Sequence, residues 1–170
     1  MNHHLSHHLD QLIARRGHKP KILVVDDQPI NIRVIHGLFK SQFDVVMAMN
    51  GEQALSQAQQ HRPDLIVLDV MMPDMDGYEV CRRLKAHPDT RTIPVMFVTA
   101  HTDPTDEMQG IALGAIDFIS KPISAVLVAT RVTTYITLKL QTDLLCSLGM
   151  LGDPPDAAPP DAADGQSPAE

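Results

Sequence analysis

This sequence has little of several things, and each shortage removes a class of protein. It has no tryptophan, two cysteines, and aromatics at 4% of its 170 residues. Cys81 and Cys146 alone build neither a disulfide framework nor a four-thiolate zinc site. No apolar run approaches the roughly 20 residues that cross a bilayer, so no membrane contact is expected. The start, MNHHLSHHLDQL, lacks the basic, apolar and small-residue parts of a signal peptide, which points to the cytoplasm. Positive charge is scarce as well. The formal charge is −7 with histidine neutral, which argues against direct electrostatic binding of nucleic acid. No glycine-rich loop follows the first apolar run, so a nucleotide cradle is excluded there.

What is present is enough apolar sequence, 44%, to bury a core. The length suits one domain with residues left over for tails. From Asp153 to Glu170 there are five acidic residues and no basic ones. Residues 151–170 are Pro/Ala/Asp-rich and are expected to form a disordered acidic tail or the stub of a linker. Residues 1–20 form an N-terminal extension. Leu5, Leu9, Leu12 and Ile13 lie at helical spacing there, predicting a short amphipathic helix over 3–16, with Gly17 and Pro20 punctuating the chain after it.

The main domain is expected over 21–150. KILVVDD (21–27) is a continuous apolar run closed by two aspartates, as in a buried parallel strand. Further strands are expected at 43–49, 64–69, 93–100 and 115–120. Helices are expected at 29–40, 51–60, 78–87 and 105–113, with a long last helix from about Ser124 towards Leu148. Strands alternating with helices predict an α/β fold, a doubly wound five-stranded parallel sheet with helices on both faces.

The strand ends carry the chemistry. Asp26 and Asp27 close the first strand, Asp69 the third and Thr99 the fourth, and Lys121 follows the fifth. In an open parallel sheet all these ends lie on one edge, where ligands bind. Crowded carboxylates repel, and a hard divalent cation with oxygen ligands, Mg²⁺, relieves that. A single ammonium opposite leaves room for a small polyanion such as a phosphoryl group. A carboxylate is also a nucleophile towards phosphorus. The site reads as phosphoryl transfer onto an aspartate.

VVDD (24–27), LDVMMPDMDG (68–77), VTA (98–100) and DFISKP (117–122) resemble the receiver domain of bacterial two-component response regulators, in order and at matching intervals from about Lys21 to Tyr135. The resemblance implies the flavodoxin-like strand order 2-1-3-4-5 and an extended C-terminal helix. It implies that Asp69 accepts a phosphoryl group from a phosphohistidine on a sensor histidine kinase or histidine phosphotransfer protein. Mg²⁺ would be held by Asp27, Asp69 and the Met71 carbonyl, with Asp26 acting through water. Thr99, with Ala100 beside it, would bind the phosphoryl oxygens, Lys121 would pair with them, and Phe118 would sit at an aromatic switch position. The Lys121–Pro122 bond would be cis, as X–Pro bonds permit at low cost.

Other features have plainer readings. Asp26 and Asp27 also suit an N-cap for the following helix. His3, His4, His7 and His8 have metal-chelating i, i+4 spacing but fit a solvated segment. Cys81 reads as an inert thiol, and Arg82, Arg83 and Lys85 as a solvated face. Ile30, Arg33 and Val34 are candidates for choosing the kinase, while Met71 and His101 flank the site and bear on phosphoryl lifetime. Val132, Ile136, Leu140, Leu144 and Leu148 form an apolar stripe that suits a homodimer through the last helix. LKLQTDLLCSLGMLGD resembles the connector to diguanylate cyclase domains, which raises a lost or truncated output domain. A Mg²⁺-dependent phosphatase would need a proton donor two residues after the nucleophile, where Met71 stands. A phosphorylation-independent scaffold for dimerisation or protein binding is the alternative.

Overall fold

The computed structural model describes the backbone of residues 3–100 and 104–151, and the side chains of these apart from 3–6 and 104–107. Along the chain run α1 (His3–Arg16), β1 (Lys21–Val25), α2 (Pro29–Phe39), β2 (Asp44–Ala48), α3 (Gly51–His61) and β3 (Leu65–Asp69). Then come α4 (Gly77–Ala86), β4 (Val95–Thr99), α5 (Pro104–Ala112), β5 (Asp117–Ser120) and α6 (Ala125–Ser147). The sheet is parallel throughout, as the alternation of strands and helices predicts, and its order is β2-β1-β3-β4-β5, as the receiver resemblance implies.

Alternation along each strand divides the core in two. Ile22, Val24, Leu65, Val67, Met96 and Val98 face one cluster, closed by α2 and α6. Leu23, Val25, Ile66, Leu68, Val95 and Phe97 face the other, closed by α3 and α4. β3 and β4 are buried along their whole length, which is why they read as continuous apolar runs. Local chemistry starts the helices. Asn50 accepts from Gln53 N at 2.9 Å to cap α3, and Asp76 accepts from Glu79 N at 2.8 Å to cap α4.

The helix expected over 3–16 forms as α1, and two further features depart from the sequence reading. The N-terminal helix is packed into the first core cluster, with Leu9 and Leu12 buried. The α6 stripe is accordingly not an open seam. Val132, Ile136 and Leu140 are buried within this chain, under α1 and the sheet, and of the stripe only Leu148 is broadly exposed. Lys85 is not part of a solvated face. Its ammonium is turned in to donate to the carbonyls of Ile93 at 2.7 Å and Arg91 at 3.1 Å. Burial lowers its pKa. Arg82 and Arg83 do face solvent, where both pair with Glu79. Leu5, His3 and His4 fall among the side chains outside the described set, and His101 and residues 153–170 lie outside the described residues.

Candidate functional site

Five strand ends meet at the carboxyl edge of the sheet. Asp26 continues β1, its amide donating to Ala48 O of β2 at 3.2 Å. Asp69 ends β3 in register with Val98, and Thr99 ends β4 opposite Ser120. Lys121 follows β5, and its amide donates to Thr99 O at 2.7 Å. Asp26, Asp69 and Thr99 are each no more than 2% exposed.

Lys121 ties the acidic groups together. Its Nζ donates to Asp69 Oδ2 at 2.6 Å and to Asp26 Oδ2 at 3.0 Å. Asp69 Oδ1 accepts from the Met71 amide at 3.2 Å. Burial raises the pKa of Asp69 above the ordinary carboxylate value; Lys121 opposes the rise and the neighbouring Asp26 adds to it. Burial also works against the Lys121 charge, yet hydrogen bonds to Asp69 and Asp26 outweigh it and raise its pKa.

The three aspartates are not equivalent. Asp26 Oδ1 accepts from the Gln28 amide at 2.8 Å, and Asn31 Nδ2 reaches both Asp26 oxygens at 3.0 Å. With Lys121 on its other oxygen, Asp26 is engaged by protein donors on both sides. Asp27 is the opposite case, because its Oδ1 is buried with no hydrogen-bond partner. One oxygen from each of Asp26, Asp27 and Asp69 lies within 4.8 Å of the others. Two or three carboxylates around a buried, unsatisfied oxygen suit a hard, oxygen-seeking cation, so these residues fit Mg²⁺. The helix-capping reading of Asp26 and Asp27 is not what the structure shows: the N-cap of α2 is Gln28, with no side-chain cap.

The other residues singled out in the sequence gather around this cluster. Met71, two residues after Asp69, is 53% exposed, and its backbone is the polar group it offers the site. Ala100 is exposed at the same edge. The Lys121–Pro122 bond is cis. Phe118 is half-buried, its ring 4.9 Å from that of Phe97. Cys81 is buried with its thiol pushed up to about 11 by desolvation, consistent with an inert thiol.

Sequence reasoning passed over three residues that shape the site. Asn31 orients Asp26, and only its spacing from the aspartates hints at that. Gly77 lets the start of α4 close on the end of β3, since a Cβ there would sit 2.3 Å from Asp69 O. Gly110 of α5 makes a seat for Phe118, whose Cζ would lie 2.2 Å from an added Cβ. Gly110→Ala is therefore expected to displace the Phe118 ring, read as loss of Phe97–Phe118 ring NOEs; retained NOEs would show that the seat tolerates a methyl group. Asn31→Ala should weaken Mg²⁺ binding by about tenfold, the low end of what supporting groups contribute to metal sites. Calorimetric titration with Mg²⁺ checks this, and an unchanged dissociation constant would remove Asn31 from the account.

With this geometry established, relatives define the class. Residues 22–133 match the family described as the response regulator receiver domain. The response regulator PleD of Caulobacter vibrioides is 45% identical over 126 residues, which make up 74% of this chain and 28% of PleD. The chemotaxis protein CheY4 of Vibrio cholerae superposes with a TM-score of 0.66 at 27% identity, over 69% of this chain and 98% of that one. A chain of the CheX–CheY–BeF3–Mg complex of Borrelia burgdorferi does so with a TM-score of 0.64 at 26% identity, over 68% and 87%.

The fold and the acidic edge are those of a response-regulator receiver. This chain belongs to the response regulator receiver family, and it spans about 28% of the length of its relative PleD. Receivers of this family bind Mg²⁺ at an acidic pocket and work with histidine kinases and phosphotransfer proteins. No helix among the described residues is long and apolar enough to cross a membrane.

Proposed function

We propose that this chain is the phosphoacceptor of a two-component phosphorelay, acting in the cytoplasm. Asp69 accepts a phosphoryl group from a phosphohistidine on a sensor histidine kinase or histidine phosphotransfer protein. The observation that carries the reading is the pairing of the buried Asp69 with Lys121 at 2.6 Å beside the unpartnered Asp27 oxygen. A bond forms between an Asp69 carboxylate oxygen and phosphorus. The donor's N–P bond breaks, and its electron pair returns to the imidazole.

Each side chain has a part in that step. Lys121 exchanges its Asp69 oxygen for a phosphoryl oxygen, a charge-assisted hydrogen bond of the stronger kind. Thr99, fixed to Lys121 through their shared backbone bond, supplies a hydroxyl to a second phosphoryl oxygen, with Ala100 beside it. Asp27, Asp69 and the Met71 carbonyl would hold Mg²⁺, while Asp26, already engaged by Asn31, Gln28 and Lys121, would act through water. An ion held there would offset the charge of the carboxylates and of the incoming phosphoryl group. The chain turns over no external substrate and loses its phosphoryl group by hydrolysis of the acyl phosphate.

Phosphorylation adds nearly two negative charges at this edge. Drawing Thr99 towards them shifts β4 against β5, and Phe118, seated on Gly110 and Phe97, is the side chain placed to respond. That shift is the switch offered to a partner or output. Ile30 and Val34, exposed on α2 with Arg33, form the apolar part of the face that meets the donor.

The test is phosphotransfer from a panel of radiolabelled histidine phosphotransfer proteins. Label is expected on the wild-type chain in the presence of Mg²⁺ and absent from Asp69→Asn. Label on Asp69→Asn, or no transfer from any donor to a folded wild-type chain, overturns the assignment.

A further inference from the structure

The chain is poor in aromatic residues, with four phenylalanines, two tyrosines and no tryptophan, and half of these rings stand in one file. Tyr78 meets Phe97 edge to face, with ring centroids 5.2 Å apart and planes at 61°. Phe97 meets Phe118 at 4.9 Å. Both spacings lie in the range where aromatic pairs attract. Phe97 is fully buried, and Tyr78 and Phe118 pack against the same core cluster. The file runs from the first turn of α4, across β4, to β5.

Its two ends are held differently. Tyr78 follows Gly77, which lies so close to the end of β3 that an added Cβ would meet Asp69 O at 2.3 Å and Val70 Cα at 2.8 Å. The Gly77 amide also donates to Val70 O at 2.9 Å. The backbone that carries the Tyr78 ring is thereby fixed to the backbone of Asp69. At the other end Phe118 is only half-buried. α5 covers it at Gly110, where an added Cβ would meet Phe118 Cζ at 2.2 Å and Phe97 Cε2 at 3.0 Å. The seat of Phe118 thus has two parts, Gly110 and Phe97, and Phe97 is itself placed by Tyr78. In a close-packed interior, a ring that loses its neighbour relaxes into part of the space left.

We propose that Tyr78 is a positioning residue for Phe118: acting through Phe97, it ties the seat of that ring to the backbone of Asp69. This link is separate from the one that Thr99 makes along β4, because it runs through the loop and helix that follow β3. That Phe118 responds to phosphorylation rests on the phosphoacceptor reading; that Tyr78 sets where Phe118 sits does not. The ring carries the role, so Tyr78→Phe keeps it and Tyr78→Leu loses it.

The test is NMR of the full chain with labelled phenylalanine rings, which gives four ring signals, that of Phe118 being identified by its loss in Phe118→Leu. Before any addition, Tyr78→Leu is expected to shift the signals of Phe118 as well as those of Phe97, and Tyr78→Phe to leave Phe118 as in the wild type. A tyrosine that merely fills space would affect stability and leave the Phe118 signal in place. With Mg²⁺ and saturating beryllofluoride, a surrogate for a phosphoryl group on a carboxylate, the wild-type Phe118 signal should move. In Tyr78→Leu that displacement should fall to about half or less. If Tyr78→Leu does not fold, as judged by circular dichroism, Tyr78→Met is measured in its place. An unmoved Phe118 signal before the addition, or an undiminished displacement after it, overturns the proposal, and so does Tyr78→Phe behaving as Tyr78→Leu does. A wild-type Phe118 signal that ignores beryllofluoride counts against the phosphoacceptor reading instead, and the comparison made before the addition then decides the part of Tyr78.

Discussion

Lys121→Ala is expected to destabilise the fold by about 3 kcal/mol at neutral pH, at the lower end of what breaking a buried ion pair costs. Lys121 Nζ is the cation between Asp69 Oδ2 at 2.6 Å and Asp26 Oδ2 at 3.0 Å, and those carboxylates are 1% and 3% exposed. Without it, their repulsion is left to the buried site. The pH dependence has a defined sign. The raised Lys121 pKa means its contribution is complete below the ordinary lysine value and is lost only as pH rises through the raised one. The raised Asp69 pKa means the opposite for the acid: stability gained from Asp69 grows as pH falls from the raised value to the ordinary carboxylate range. The deficit of Lys121→Ala should therefore be largest at neutral pH and shrink on acidification. Mg²⁺ should also narrow it, since a cation binding only the folded site stabilises by mass action. Urea titrations at several pH values, with and without Mg²⁺, check both. A deficit independent of pH and Mg²⁺ would mean that Lys121 acts by packing alone.

Gly77→Ala is expected to cost about 2 kcal/mol by overpacking and to slow phosphoryl uptake by tenfold or more. The added Cβ would lie 2.3 Å from Asp69 O and 2.8 Å from Val70 Cα, and both are backbone atoms that no rotamer change can move. Gly77 N also donates to Val70 O at 2.9 Å, closing the loop that carries Met71. Relief requires moving that loop, and with it the Met71 carbonyl and the Asp69 carboxylate. Loss of uptake beyond what lost stability explains is the mark of displaced site geometry. It is measured as the rate of phosphoryl gain under conditions where the variant remains folded. A normal rate would show that the loop absorbs the methyl group without moving Asp69.

The legible parts of this protein were those that depend on chain position alone. An apolar run closed by aspartates tells that Asp26 and Asp69 end parallel strands, and parallel strands share an edge. Lys121 reached the same edge by the same rule. What the sequence left open was contact between elements. The stripe from Val132 to Leu144 announces an apolar face on α6, yet its spacing does not say whether α1 or another chain covers it. Gly77 and Gly110 matter through backbone and ring atoms distant in sequence, so no local pattern marks them. Lys85 sits among arginines on a helix and reads as solvated, while the carbonyls that hold it come from the loop before β4. Asn31 lies in the first turn of α2, where a polar residue ordinarily passes without notice.

The most direct measurement is the intact mass of the protein after incubation with acetyl phosphate. The account predicts a single phosphoryl adduct on the wild-type chain with Mg²⁺, none after chelation, and none on Asp69→Ala. An adduct that persists without Asp69, or none on a folded wild-type chain with Mg²⁺ present, would contradict it.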